Sequence, residues 1–171
     1  NTVIKSWAET LTKLSPQTTI IINGDDQNTT QLSSSFRGQT ITFGVERDKI
    51  TGEGHQNIKQ SKKLDFEAKN IKLDGLKGSL FDIDISHITY PVFLPLPGIY
   101  HIYDCIAALA AAYYLKLPTT NYLLFTTYQP AFGRVEKLSF GTIFLIKNPA
   151  GASQVLRTLA PQFKPNDRLL L

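Results

Sequence analysis

Apolar positions recur with a helical period at the start of the chain. Val3, Ile4, Trp7, Ala8, Leu11 and Leu14 fall on one face, and Pro16 closes the run. Thr19 to Ile22 is a short, β-branched, continuous apolar run that ends in Asn23-Gly24-Asp25-Asp26, which predicts a strand of a parallel sheet covered on both faces. The period then becomes two. Thr40 to Val45 predicts a strand, Arg47 to Lys63 a polar loop or loose hairpin, and Leu64, Phe66 and Ala68 alternate with Asp65, Glu67 and Lys69. Asp74-Gly75 marks a turn, Phe81, Ile83 and Ile85 alternate with Asp82 and Asp84, and His87 to Leu94 makes another strand. This middle third predicts an antiparallel ribbon or small sheet.

Pro97-Gly98 ends it. A helix follows from about Tyr100 to Lys116, with Ala107, Ala108, Ala110, Ala111 and Ala112 permitting close packing, and Pro118 stops it. Thr120 to Tyr128 predicts a shorter helix. Gln129-Pro130-Ala131-Phe132-Gly133 is the candidate domain boundary. Beyond it lie a hairpin (Val135 to Phe140, Thr142 to Lys147), a helix from Pro149 and a strand at Arg168 to Leu171.

Composition narrows the class. In 171 residues, 42% hydrophobic and 19% charged, there is material for one compact core, or one domain plus part of another, and wholesale disorder is excluded. No apolar run is long enough to span a bilayer and no signal peptide opens the chain, so a soluble cytoplasmic protein is expected. The net charge is +4, and Lys59, Lys62, Lys63, Lys69 and Lys72 lie among acids, which fits a solvated face and not a nucleic-acid groove. One cysteine, Cys105, and three scattered histidines (His55, His87, His101) exclude a disulfide framework and a closed zinc site. The chain opens on Asn1, lacks methionine and stops at Leu169-Leu170-Leu171, so an excised segment of a longer protein is expected.

Three stretches carry candidate chemistry. In Lys147-Asn148-Pro149-Ala150-Gly151, Asn148 suits an N-cap and Pro149 the first helical position; with Lys147 beside it, the helix start is either an anion or carboxylate site or a plain strand-to-helix turn with a good cap. His101 and Asp104, three residues apart, share a helix face. They either hold a base, a ribose or a metal, or serve the helix start, Asp104 by its charge and His101 by capping or packing. Arg134 is a forked donor for a phosphate or an ion-pair partner of Glu136. Asp25-Asp26 at a strand end is a metal candidate or an acidic turn. Asp74 to Ser79 lacks the Walker spacing, no nucleophile elbow occurs, and Cys105 sits on an apolar helix face as a packing residue.

Taken in order, Ile22-Asn23-Gly24-Asp25-Asp26, Pro97-Gly98-Ile99-Tyr100-His101-Ile102-Tyr103-Asp104 before an alanine-rich helix, and Phe132-Gly133-Arg134-Val135-Glu136 resemble the Mur ligases. That family carries an Asn-x-Asp-Asp strand end, a Gly-x-x-Asn-x-x-Asn helix start and an Arg-x-Glu opening the C-terminal domain. Lys147-Asn148-Pro149-Ala150-Gly151 resembles the MurT-type subunit of lipid II isoglutaminyl synthase, where other Mur ligases have an Asp-containing strand and His-x-Pro. The resemblance implies an α/β fold: a partial central, ATP-binding domain over 1–130, a P-loop-type parallel sheet with an antiparallel β insertion at about 40–94, then the start of an α/β C-terminal domain over 131–171.

It also implies a reaction. Such subunits use ATP and Mg2+ to activate the α-carboxylate of the lipid II D-glutamate, and a GatD-like glutaminase partner in a heterodimer supplies ammonia, giving D-isoglutamine at the inner face of the membrane. By the resemblance Arg134 touches ATP phosphates, His101 and Asp104 lie near the adenine, and Lys147 and Asn148 line the domain interface. No zinc and no nucleic acid are expected. The sequence departs from the family where His101 and Asp104 replace two asparagines, where the polar stretch around Gly54 to Lys63 replaces a four-cysteine zinc ribbon, and where Glu9 stands near the place of a carbamylated lysine. The phosphate loop and the catalytic Asp lie outside the chain, so no catalytic residue is assigned and the fragment alone is expected to be inactive. The alternatives are an amino-acid ligase of the MurE or folylpolyglutamate type, and a non-catalytic scaffold subunit that keeps the fold.

Overall fold

The computed structural model describes residues 2–46, 63–85, 88–118, 125–128 and 135–168. Helix α1 (Thr2–Lys13) leads to strand β1 (Thr19–Asn23), a short helix α2 (Gln27–Ser33) and strand β2 (Gln39–Val45). Strands β3 (Phe66–Leu73), β4 (Ser79–Ile85) and β5 (Ile88–Leu94) follow, with a single 3-10 turn, Gly75–Lys77, between the first two. Helix α3 (Ile99–Tyr114), the hairpin β6 (Val135–Leu138) and β7 (Gly141–Phe144), helix α4 (Pro149–Leu159) and a 3-10 turn, Ala160–Gln162, complete the described elements.

The first five strands form one sheet in the order β1-β2-β3-β4-β5. β1 with β2 and β2 with β3 are parallel, while β3, β4 and β5 are antiparallel neighbours. β3, β4 and β5 make the antiparallel ribbon expected of the middle third, but β2, which the expected insertion at about 40–94 also took in, is parallel to both its neighbours, so the ribbon is joined onto the parallel strands as one mixed sheet. Two reversals leave β5 parallel to β3, so the carboxyl ends of β1, β2, β3 and β5 share one edge. The turn from β5 delivers α3 to that edge.

Burial follows the sequence pattern. Phe81, Ile83 and Ile85 of β4 face the core with Phe66 and Ala68 of β3, Val92 and Leu94 of β5, and Ile41 and Val45 of β2. Against them α3 sets Ile99, Ile102, Cys105, Ile106, Leu109 and Ala110, a stripe of helical period. The strict alternation breaks once. A bulge between Lys69 and Lys72, with Asn70 at φ 52°, turns Ile71 inward out of register.

Two tyrosines set the length of α3 against β1. Tyr103 hydrogen-bonds Asp25 just past the carboxyl end of β1, and Tyr114 meets Thr19 Oγ1 at its amino end. Eleven helical residues rise about 16 Å, and six extended residues span about 20 Å. The helix therefore runs back along nearly the whole strand.

Helix α2 has no counterpart in the sequence pattern, since its sequence is polar apart from Leu32. Asp26 starts it: its side chain accepts from the Asn28 and Thr29 amides at 2.8 and 3.0 Å. From the predicted helix at Thr120 to Tyr128, only 125–128 is described, and it forms a 3-10-type turn. The boundary at 129–133, the loop at 47–62 and the strand proposed at the end of the chain (169–171) lie outside the described residues. No helix among the described residues is long and apolar enough to cross a membrane.

Candidate functional site

Three carboxyl groups gather at the carboxyl edge of the sheet, and each is used by the fold. Asp25 is fully buried; its Oδ2 accepts from the Val45 amide at 2.8 Å and from the Tyr103 hydroxyl at 2.9 Å. Its own amide donates to Asn23 Oδ1 at 2.9 Å. Asp26 caps α2. Glu46 accepts from the Asn70 and Ile71 amides at 3.0 and 2.9 Å, satisfying the backbone donors that the β3 bulge frees. The Asn23-Gly24-Asp25-Asp26 quartet is thus an Asx turn, a tie and a cap. Among the described residues no group of three or more His, Cys, Asp or Glu side chains is placed to hold a metal ion.

Helix α3 begins at the same edge. Its N-cap is Gly98, at φ 93°, and among the described residues no side chain caps it. A β-carbon at Gly98 would meet the Tyr100 ring and lie 3.0 Å from Thr158 Oγ1 of α4, so glycine here answers both the backbone angle and the close approach. His101 and Asp104 lie on one face, as their spacing predicts. His101 Nδ1 stands 3.4 Å from Asp104 Oδ2, with the imidazole 16% exposed and the carboxyl 78% exposed. The Tyr100 and His101 rings pack with centroids 4.2 Å apart. His101 Nε2 is buried and has no hydrogen-bond partner among the described residues. A buried ring nitrogen left this way is uncommon in a folded protein.

The second predicted helix start is organised differently. Asn148 Oδ1 accepts from the Gly151 amide at 2.7 Å, Pro149 occupies the first turn, and Ser153 donates back to the Pro149 carbonyl. Both sequence-based features, cap and proline, hold. Lys147 is exposed beside this start. Among the described residues no hydrogen bond or ion pair joins Lys147 or Asn148 to His101 or Asp104. The structure brings the His101–Asp104 pair together. Arg134, the fifth predicted site residue, lies outside the described residues.

What links the two helices is the far end of α4. Gln162 Oε1 accepts from the Leu76 amide at 3.4 Å, and Gln162 packs so closely on Gly75 that a β-carbon there has no room. Thr158 faces Gly98. Two turns of the central sheet, both with glycine at positive φ, therefore receive α4.

Two clefts lie apart from these helix starts. One of about 870 Å³ is lined by Gln39, Lys63, Phe66, Tyr113 and Tyr114 near the C-terminal end of α3. Another of about 650 Å³ lies between α1, β1 and α2 and includes Trp7, Leu11, Ile20 and Leu32. Cys105 is buried in the core, where burial, reinforced by Asp104, pushes its thiol up to about 12, as befits a packing residue.

The residue that sequence reasoning undervalued is Asp25. The signal was present in the pattern: an acid directly after a buried strand has either a ligand or a backbone to serve, and Gly44 opposite it leaves no space for a side chain against that carboxyl group.

No family model matches the chain. Among curated proteins it is 24% identical over 146 residues to the UDP-N-acetylmuramoyl-L-alanyl-D-glutamate–2,6-diaminopimelate ligase of Listeria monocytogenes, covering 82% of this chain and 26% of that enzyme. It is 24% identical over 166 residues to the enzyme of the same name from Caldanaerobacter subterraneus, covering 91% of this chain and 30% of that one. Among solved structures, MurF from Acinetobacter baumannii superimposes with a TM-score of 0.70 at 19% identity, over 94% of this chain and 33% of that one. A pseudomurein peptide ligase type C from Methanothermus fervidus gives 0.71 at 22% identity, over 96% and 38%. The chain spans less than a third of the length of these curated relatives. Its sequence relatives and structural neighbours are Mur ligases, and its mixed α/β sheet with α3 packed along it is the fold of a Mur ligase domain.

Proposed function

We propose that this chain is part of an ATP-dependent Mur-type ligase acting in the cytoplasm on a peptidoglycan precursor, and that its reaction is the MurT-type one. In that reaction the α-carboxylate of the lipid II D-glutamate becomes a carboxamide, with ammonia delivered by a glutaminase subunit. The observation that carries the finer reading is the turn from β7 into α4. Its sequence, Thr142 to Pro149, holds no Asp or His, and what it presents is a lysine beside a helix start capped by Asn148.

The nucleoside half of an ATP site fits the start of α3. Among the described residues no side chain caps that start and His101 Nε2, held beside it, has no partner, while Nδ1 is turned to Asp104. A base or ribose offers the donors and acceptors such a group lacks. The phosphate half does not fit this chain: no Gly-x-x-x-x-Gly-Lys-Ser/Thr occurs in it, and no metal-binding group is assembled among the described residues. ATP supplies the phosphoryl group that activates the carboxylate. The residues here bind and orient: His101 and Asp104 toward the nucleoside, Arg134 toward phosphate, Lys147 toward an anionic group at the mouth of α4.

A second reading has its own support. The curated relatives named above are diaminopimelate ligases, so an amino-acid ligase remains the rival. The two differ in the nitrogen nucleophile. The intact protein, expressed with a candidate glutaminase subunit, is assayed for ADP release with a lipid II acceptor. The proposal expects turnover that depends on glutamine or ammonium. Turnover that depends on diaminopimelate or another amino acid, and ignores glutamine, would overturn it.

A further inference from the structure

Asp25 is buried, charged in type and absent from the proposed nucleotide face, yet it touches the helix that carries that face. We propose that Asp25 is a positioning residue that acts through Tyr103 to fix the first turns of α3, and with them His101 and Asp104, on the carboxyl ends of β1 and β2. This rests on the proposed nucleotide reading of His101 and Asp104.

The geometry is specific. Tyr103 stands between His101 and Asp104 in the sequence, and its hydroxyl donates to Asp25 Oδ2 at 2.9 Å. The same oxygen accepts from the Val45 amide at 2.8 Å, so one atom joins α3 to the ends of both strands. The Asx turn at Asn23 holds the Asp25 backbone, and the Gly24 amide donates to the Phe43 carbonyl at 2.8 Å. Gly44 and Gly24 both lack room for a β-carbon, the first because of the Asp25 carboxyl group and the second because of Leu64. The tie is therefore built into a closed pocket of backbone, with no slack for the carboxyl group to follow a shifted helix. The glycine N-cap of α3 provides no alternative anchor for the helix start. Burial, reinforced by Asp25, pushes the Tyr103 phenol above its ordinary range.

Tyr103→Phe removes the helix bond and leaves the β1–β2 tie in place, with no change of volume. In the intact protein the expected result is roughly tenfold weaker binding of a non-hydrolysable adenine nucleotide by calorimetry, the loss of one hydrogen bond to a carboxyl group. Hydrogen exchange should quicken over residues 99–104 and stay unchanged over Ile20–Asn23 and Thr42–Val45. Cys105→Ala, which loosens packing of the same helix, should lower the melting midpoint without changing nucleotide affinity. Parental affinity for Tyr103→Phe, or equal weakening in Cys105→Ala, would overturn the proposal. If Tyr103→Phe does not fold, Asp25→Ala, which removes the oxygen that Tyr103 and Val45 share, is judged by nucleotide affinity and by exchange over residues 99–104.

The His101→Ala/Asp104→Ala double variant separates the two ideas. If it binds nucleotide normally, the nucleotide reading fails, and the tie is judged by exchange alone: loss of protection confined to 99–104 supports it, and loss across the sheet or nowhere contradicts it. If the double variant binds weakly and Tyr103→Phe does not, the tie fails and the nucleotide reading stands.

Discussion

Two helix starts in this chain solve the same problem in opposite ways. An α-helix begins with backbone amides that have no partner inside it. At α4 the chain supplies the partner itself, Asn148, and a proline that removes one of the donors. At α3 a glycine at φ 93° stands where the cap would be, and among the described residues no side chain closes the start and the ring nitrogen Nε2 of His101, one turn in, has no partner. Local structure is complete at α4 and left open at α3. An outside group that caps the α3 start therefore meets no competing side chain of the N-cap residue.

The same substitution made at both starts should give opposite results, and this is the largest effect expected. Gly98→Ala should cost about 1–3 kcal/mol from the positive φ alone, with the crowding of Tyr100 and Thr158 added. Gly151→Ala, where a β-carbon meets only Asn148 Oδ1 at 3.3 Å, should leave stability unchanged or raise it by about 0.5 kcal/mol. Urea denaturation of the two variants measures the difference; equal losses would erase the contrast.

Asn148→Ala comes next. It should destabilise by about 1 kcal/mol, because the Gly151 amide loses its acceptor, and it should speed hydrogen exchange at the first turn of α4. Asp104→Ala, at a carboxyl group that is 78% exposed, should change stability little, while nucleotide affinity in the intact protein falls. A variant that loses stability but keeps affinity would assign Asp104 to the helix alone. The smallest effect is a null one: native Cys105, held at about 12, should resist iodoacetamide at pH 8 and react only on unfolding. Prompt labelling of native protein would mean that α3 opens far more readily than its packing implies.

Much of this architecture is written in the chain because its elements obey their periods. The stripe Ile99, Ile102, Cys105, Ile106, Leu109 of α3 and the alternation of β4 read directly from sequence, and so does the Asn148-Pro149 start. What does not read is non-local. Helix α2 is polar, and its existence depends on the Asp26 cap and on a single buried leucine, Leu32. The bulge in β3 depends on Glu46, which reaches it from another strand. The joining of the β-rich stretch to the parallel pair depends on the parallel pairing of β2 with β3, which sets Phe43 and Phe66, far apart in sequence, in register. The candidate site is legible in the same uneven way. The spacing of His101 and Asp104 announces a shared face, but nothing local distinguishes Asp25, a structural carboxyl group, from a metal ligand. Lys147 and Asn148 announce a helix start, and the cap that Asn148 makes to the Gly151 amide bears that out.

The isolated 171 residues should neither hydrolyse ATP nor amidate an acceptor, since no phosphate cradle is among them and positioning of the phosphates dominates phosphoryl transfer. A saturable micromolar ATP isotherm from the isolated chain would place a complete site within it. The most direct test of the functional account is the product itself. The intact protein, with the proposed glutaminase partner, ATP, magnesium and a lipid II acceptor, is given glutamine labelled with nitrogen-15 at the side-chain amide, and the product is read by mass spectrometry. The account predicts a labelled carboxamide on the D-glutamate α-carbon. A product lengthened by an amino acid, with no label from glutamine, would contradict it.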